Sequence, residues 1–218
     1  MLVAVVGARG NLGRLLVAQA LGRGFAVRAL SPHMDPDTGD PRVAGIAAAD
    51  DDHDALVAAF TGVGAVVIVF PAAMDRPQTY PSQLGRVLDA VRSAGVPRVI
   101  ALIGSAGSLT AHGERLVDTD YFAETTRHFY QSIEAAWDVY RRSTDLDWVA
   151  FVPAARMQPH LPDRGTYRTR TDEHLVTTDD TSRRYFDVSQ ISYGDCARAM
   201  LDEIEQPRHS QVFVTLGW

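Results

Sequence analysis

Three glycines near the start of the chain, Gly7, Gly10 and Gly13, stand at intervals of three residues. They follow a run of strand formers, Leu2 to Val6, and open a segment with apolar residues at helical spacing. Glycines placed this way let the backbone approach a pyrophosphate, whose charge a helix N-terminus stabilises. The pattern predicts a dinucleotide-binding loop, with a nucleotide-free strand-to-helix turn as the alternative. The expected cofactor contacts in this loop are Gly7, Ala8, Arg9, Gly10, Asn11, Leu12 and Gly13.

The end of the second predicted strand bears on the choice between NAD and NADP. Proteins that prefer NAD usually carry an acidic residue about 20 residues beyond the glycines, where it bonds the ribose 2′-hydroxyl. This chain has Ser31 and Pro32 there, and Ser31, His33 and Arg9 could contact a 2′-phosphate. We therefore expect NADP(H) to be preferred over NAD(H), although an exposed arginine beside a turn is commonly just solvated. Asp50 could bond the adenine amino group.

The elements that position these residues alternate regularly along the chain. The unbroken apolar run Ala65 to Phe70 is typical of a parallel strand that is buried on both faces. The predicted strands are residues 2–6, 25–30, 43–48, 65–70, 98–104, 148–153 and 211–217, and the predicted helices include 83–93, 120–142 and 197–204. This alternation predicts a single α/β domain with a Rossmann-like doubly wound parallel sheet. Because ligands bind at the carboxyl ends of such strands, the expected cofactor contacts also include Phe70, Pro71, Ala72, Gly104 and Pro153.

The composition excludes several other functions. A formal net charge of −6 argues against nucleic acid as the main partner, because that binding needs a basic face. The longest apolar run, Ala65 to Ala73, is too short to span a bilayer and no signal peptide is recognisable, so we expect a cytoplasmic protein without a membrane partner. The histidines show neither HxH nor HxxxH spacing, and with Cys196 as the single cysteine we expect no metal. Cys196 is expected to be a buried structural thiol.

Several short motifs are spread over nearly the whole chain. They include GARGNLG at 7–13, IGSAGSL at 103–109, DTDYF at 118–122, DLDWVAFVPAA at 145–155 and ISYGDCARAMLDEIE at 191–205. Together they resemble the atypical short-chain dehydrogenase/reductases with an NmrA-like or biliverdin-reductase-B-like NAD(P)H-binding domain. The resemblance implies a cofactor site and a hydride transfer to a flavin, a quinone or another small carbonyl or conjugated substrate. It does not identify the substrate.

The chain departs from the main group of short-chain dehydrogenases at the catalytic tyrosine. That group uses a Tyr-x-x-x-Lys pair, in which the lysine lowers the pKa of the tyrosine. This chain contains no lysine, so that mechanism is excluded. Ser105 lies just past the fifth predicted strand, where members of that main group carry their catalytic serine, although it could instead bond its own backbone in a turn. Tyr121 and Tyr130 are further catalytic candidates, with core packing as the alternative.

Substrate contacts are expected near the excursion at 154–189, which we interpret as a small, irregular substrate cap near the C-terminus. Within it, residues 166–170 and 175–177 predict a short strand pair. Arg156 is suited to holding a carboxylate or an enolate-like oxygen, although it could instead pair with Asp163. Met157 and Tyr167 are further candidates, as is His112, which otherwise is a solvated loop residue.

These observations favour an NAD(P)H-dependent reductase that acts on a small molecule as a monomer or a homodimer. In its simplest mechanism, hydride is transferred to a stacked acceptor, and positioning provides most of the catalysis. Two alternatives remain open. One is a non-redox isomerase, cyclase or dehydratase on the same fold, and the other is a regulator that senses NADP without turning it over.

Overall fold

A mostly parallel β-sheet forms the centre of the computed structural model, which describes residues 1–70, 73–110, 112–176 and 188–218. Its strands are β1 (Leu2–Val6), β2 (Ala26–Ser31), β3 (Val43–Ala47), β4 (Ala65–Ile68), β5 (Val99–Leu102), β6 (Trp148–Pro153), β8 (Arg168–Arg170) and β10 (Val212–Gly217). A separate parallel pair is formed by β7 (Arg156–Gln158) and β9 (Gln190–Ser192). Within the described residues the large sheet has the order β3-β2-β1-β4-β5-β6-β10-β8, with only β8 antiparallel to its neighbour.

Helices cover both faces of the sheet, as a doubly wound fold requires. They are α1 (Asn11–Gly22), α2 (His53–Phe60), α3 (Tyr80–Ser93), α4 (Arg127–Arg142) and α5 (Tyr193–Glu205). Side chains alternate across each strand, so Val5 of β1 packs with α1 and α5 while Ala4 packs with α2, α3 and α4. The predicted Rossmann-like architecture is confirmed. Within the described ranges, no helix combines the length and apolarity needed to cross a membrane.

The strand order reverses between β1 and β4, which are neighbours in the sheet. From β1 the chain continues through β2 and β3 to one edge, and from β4 it continues through β5 and β6 towards the other. The connections that leave β1 and β4 therefore diverge and open a crevice at the carboxyl ends of the strands. In α/β sheets this is where ligands bind.

Residues 120–126 of the helix predicted at 120–142 are not α-helical, because α4 begins only at Arg127. The preceding residues form short turns, including a single 3₁₀ turn at Glu124–Thr126. Threonine hydroxyls stabilise these turns by donating to backbone carbonyls, Thr119 to Leu116 at 2.8 Å and Thr126 to Ala123 at 3.0 Å. Such local bonds compete with helix formation, which a count of apolar spacing does not reveal.

The excursion is more ordered within the described residues than the sequence predicts. Residues 166–170 and 175–177 do not pair with each other over the part that is described, because β8 instead pairs antiparallel with β10. Residue 177 lies outside the described ranges. The carboxylate of Asp195 accepts the backbone amides of Arg164 and Gly165 at 2.7 and 3.0 Å and the indole N–H of Trp218 at 3.0 Å. The excursion is thus tied to α5 and the last strand.

The sequence from Ser192 to Asp195 predicts the capped start of a helix, and helix α5 begins there, at Tyr193. Ser192 is its N-cap residue, and the Oγ atom accepts the backbone amide of Asp195 at 3.0 Å. Cys196 follows on the face of α5 that packs on the sheet and is fully buried. Burial raises the pKa of this thiol to about 12, so the prediction of a buried, structural cysteine is confirmed.

Candidate active site

The backbone of the glycine loop is closely packed on itself and on the residues that follow β4. Gly7 has φ +92°, and a Cβ there would lie 2.9 Å from the backbone nitrogen of Phe70. A Cβ on Gly13 would lie 2.2 Å from the carbonyl oxygen of Gly7. The amides of Gly7 and Ala8 both donate to the carbonyl of Leu30 at 3.0 Å, which ties the loop to the end of β2. Only glycine is compatible with this geometry at Gly7 and Gly13.

The N-terminus of α1 is built to receive an anion. Its N-cap residue is Gly10, so no side chain satisfies the first amides of the helix. Gly10, Asn11 and Leu12 line a cavity at this point. A dinucleotide pyrophosphate fits these groups, because the free amides and the helix dipole both favour negative charge.

The residues predicted to select the cofactor are brought together at the end of β2. The Arg9 guanidinium donates to the backbone carbonyl of His33 at 2.8 Å, and Ser31 is the last residue of the strand. Both Arg9 and His33 are exposed. Asp50 lies elsewhere in this region and forms an ion pair with Arg86 of α3. Because the Asp50 carboxylate is already paired with Arg86, its predicted contact with adenine stays a prediction.

The cavity has a volume of about 370 Å³ and extends from the glycine loop over the ends of β4, β5 and β6. Seven of the predicted site residues line it, namely Gly10, Asn11, Leu12, Phe70, Gly104, Pro153 and Met157. The sequence reasoning missed the other lining residues, which are Val69, Tyr80, Leu102, Ile103, Phe129, Ile133 and Tyr193. Proximity to a strand end was an available signal for Val69, Leu102 and Ile103. The remaining four occupy helical positions that resemble core positions.

The walls of the cavity are predominantly apolar and aromatic. Phe70 packs edge-on against Tyr80, with ring centroids 5.7 Å apart. Tyr80 is only 4% exposed, and burial raises its pKa above the usual range. No lysine, arginine, aspartate or glutamate is among the described lining residues. Such walls suit a planar, uncharged ring and exclude water from it.

The three predicted catalytic residues lie outside the described lining of this cavity. Ser105 is half-buried in a 3₁₀ turn, where its carbonyl accepts the amide of Ser108 at 3.0 Å. Tyr130 stacks on Phe122 with ring centroids 3.5 Å apart, and Tyr121 packs edge-on against Phe122 at 4.8 Å. Burial raises the pKa of Tyr121, with a smaller contribution from Tyr130. Phe129, beside Tyr130, is the residue of this aromatic group that lines the cavity.

Of the predicted substrate contacts, Met157 is brought to the cavity. Arg156 is its neighbour on β7, and because side chains alternate along a strand it projects to the opposite side. The Tyr167 hydroxyl donates to Asp202 at 2.7 Å in a separate polar pocket, where burial raises its pKa. His112 is exposed on its loop. Pro71 and Ala72 lie outside the described residues.

Comparison with known proteins gives one family match. The sequence model of a family described as NAD(P)H-binding matches residues 7–207 of this chain. The match starts at the first glycine of the loop and includes α5, so it contains both the glycine loop and the lining of the cavity.

Three solved structures have the same fold. A provisionally assigned exported protein from Burkholderia pseudomallei is 29% identical, with a TM-score of 0.86 and complete coverage of both chains. A provisionally assigned epimerase from Bacteroides thetaiotaomicron is 28% identical, with a TM-score of 0.86 over 100% of this chain and 96% of the other. A provisionally assigned NADH-flavin reductase from Streptococcus pneumoniae TIGR4 has a TM-score of 0.83 over 100% and 99% of the chains. At 24% identity, this last structure shows the fold alone.

Proposed function

The chain belongs to the NAD(P)H-binding family, and we propose that it is an NADPH-dependent reductase of a small carbonyl, quinone, flavin or conjugated acceptor. One observation carries the proposal. A single cavity of about 370 Å³ begins at the uncapped N-terminus of α1 and continues over the strand ends beneath apolar walls. The first part suits a pyrophosphate, and the second part suits a ring that must be kept from water during reaction.

The bound cofactor would supply the hydride, and the residues of this chain would position both partners. The amides of the first turn of α1 hold the pyrophosphate, with Gly10 leaving room for close approach. Pro153 is the last residue of β6 and Gly104 lies two residues beyond β5, and together they form the floor on which the rings lie. Phe129 and Met157 cover the acceptor and exclude water. Positioning in a dry site is thus the main catalytic contribution.

The preference for NADP(H) is part of the proposal. The Arg9 guanidinium and the His33 backbone are joined at 2.8 Å beside the end of β2. This places a fixed positive charge where the resemblance puts the adenosine ribose, and Ser31 replaces the acidic residue that would repel a 2′-phosphate. The site therefore favours the phosphorylated cofactor.

The proposal is tested by following NADPH absorbance with purified protein and a panel of flavins, quinones and enones. We expect protein-dependent oxidation of NADPH with at least one acceptor. Tight binding of NADPH without oxidation by any acceptor would contradict the reductase function and favour a sensor or a non-redox enzyme. Failure of all nicotinamide nucleotides to bind would remove the cofactor site as well.

A non-redox enzyme is the second candidate, because the Bacteroides structure with 28% identity is provisionally named an epimerase. Such an enzyme would return any hydride to its substrate and would cause no net oxidation of NADPH. The same acceptor panel separates this candidate from the reductase.

A further inference from the structure

We infer that Tyr193 is a catalytic residue that donates its phenolic proton to the oxygen of the acceptor. This inference rests on the proposed reductase function and adds the proton donor that a carbonyl or quinone reduction requires. Tyr193 lines the cavity, which Gly104, Pro153 and Met157 also line.

The composition of the cavity leaves few other donors. Among the described lining residues, the side chains with an N–H or O–H group are those of Asn11, Tyr80 and Tyr193. Asn11 lies in the first turn of α1, and its Oδ1 atom accepts the Arg14 guanidinium at 2.8 Å. Asn11 thus belongs to the pyrophosphate end of the cavity.

Tyr80 is poorly suited to release a proton. It packs against Phe70 and is 4% exposed, within the apolar cluster beneath α3. Burial raises its pKa, because a phenolate at that position would be separated from water. Tyr193 is half-buried and is therefore more accessible to water than Tyr80.

The backbone around Tyr193 is held from three directions. Ser192 caps the helix that Tyr193 begins, and the next carbonyl, that of Gly194, accepts the Gln19 side chain of α1 at 3.0 Å. Ile191 pairs with Met157 in the small β7–β9 sheet. The phenol is therefore carried by the same rigid unit that places Met157 against the cavity, as proton transfer in a fixed geometry requires.

The proton balance of the step is simple. As hydride forms a new bond on the acceptor, the electron pair of the reduced double bond moves to the acceptor oxygen. The Oη–H bond of Tyr193 breaks, and its proton forms the O–H bond of the product. The phenolate then recovers a proton from water, so that each turnover consumes one hydride and one solvent proton.

The test uses Tyr193→Phe, with Tyr167→Phe as the matched control, because the Tyr167 hydroxyl is bound to Asp202 outside the cavity. Loss of a general acid lowers kcat by about 10²-fold or more. We expect that loss for Tyr193→Phe with 2-methyl-1,4-naphthoquinone as acceptor, while the Kd for NADPH remains unchanged. Tyr167→Phe is expected to retain the kcat of the wild type.

A second readout does not require turnover. Binding of 2-methyl-1,4-naphthoquinone to the cofactor-free protein is measured by quenching of tryptophan fluorescence. Loss of one neutral hydrogen bond is expected to weaken binding to Tyr193→Phe by about 5-fold. Wild-type affinity and kcat in Tyr193→Phe, equal losses in Tyr80→Phe, or no quinone binding to the wild type would each overturn the inference. If the wild type binds quinone without oxidising NADPH, the reductase function and proton donation both fail.

Discussion

At the scale of single residues, the loop has glycines for two different reasons, which are close packing of the backbone and access of a ligand. Gly13 is buried and faces the backbone of the loop itself, whereas Gly10 is exposed and lines the cavity. A Cβ at Gly10 would meet the Gly7 carbonyl at 3.3 Å, a tight but tolerable distance, compared with 2.2 Å for Gly13. Gly13 is therefore required by the fold, and we propose that Gly10 contacts the ligand.

Replacement of each glycine by alanine distinguishes these roles. Gly13→Ala forces the loop apart, and we expect it to lower the free energy of unfolding by about 1–3 kcal/mol in urea denaturation. Gly10→Ala is expected to change stability by less, because alanine for glycine at an N-cap costs about 1 kcal/mol or below. It should raise the Kd for NADPH by at least about tenfold in a fluorescence titration. Wild-type NADPH affinity in Gly10→Ala would contradict this assignment.

Site residues could be predicted from the sequence only where the pattern of neighbouring residues determines their place in the fold. The strand, the glycines and the helix are contiguous, so the loop that lines the cavity follows from residues 2–22 alone. Arg156 and Met157 are adjacent, and the choice between them depends on which face of β7 meets the cavity. Tyr193 is far from the loop in sequence and reaches the site only through long-range packing. Its motif signals a helix start and gives no indication of the cavity.

At the scale of elements, α5 joins the excursion, the last strand and the cavity wall. Its N-terminus is held by Ser192, whose Oγ atom accepts the Asp195 amide at 3.0 Å in a fully buried setting. Helix α4 offers a contrast, because its N-cap residue Thr126 makes no side-chain capping bond. The two helix starts therefore differ in how much the N-cap side chain contributes to the free energy of unfolding.

Removal of the two N-cap side chains measures that difference. Ser192→Ala is expected to lower the free energy of unfolding by about 1 kcal/mol, because one helix amide loses its partner. Thr126→Ala is the control and should cost less than Ser192→Ala, about 0.5 kcal/mol, because it loses only an exposed bond from its hydroxyl to the Ala123 carbonyl. Thermal and urea unfolding of both variants provide the measurement. Equal costs in the two variants would show that the Ser192 cap does not stabilise α5.

The elements with strong local patterns were predictable, and those defined by distant partners were not. Strands β1 and β6 match their predicted bounds, because continuous apolar runs specify buried parallel strands. Strand β8 was expected to form a local pair, but its partner is β10, more than 40 residues later. The predicted start of α4 is wrong because the hydroxyls of Thr119 and Thr126 stabilise turns by donating to the carbonyls of Leu116 and Ala123.

At the scale of the whole molecule, the topology explains why a single cavity extends from the glycine loop to the excursion. The strand order reverses between β1 and β4. Residues of the glycine loop and of the excursion both line the crevice that opens there. Two structures of the same fold are provisionally named as an exported protein and as an epimerase. The fold therefore does not by itself specify the reaction, which depends on the residues that line the cavity.

The central claim, that this loop holds NADP(H), is tested most directly by calorimetric titration of NADPH and NADH into the wild type and Arg9→Ala. One fixed charge on the 2′-phosphate predicts that NADPH binds at least about tenfold more tightly than NADH to the wild type. Arg9→Ala should remove most of that difference by weakening NADPH while leaving NADH unchanged. Equal or tighter binding of NADH to the wild type, or binding of neither nucleotide, would contradict the claim.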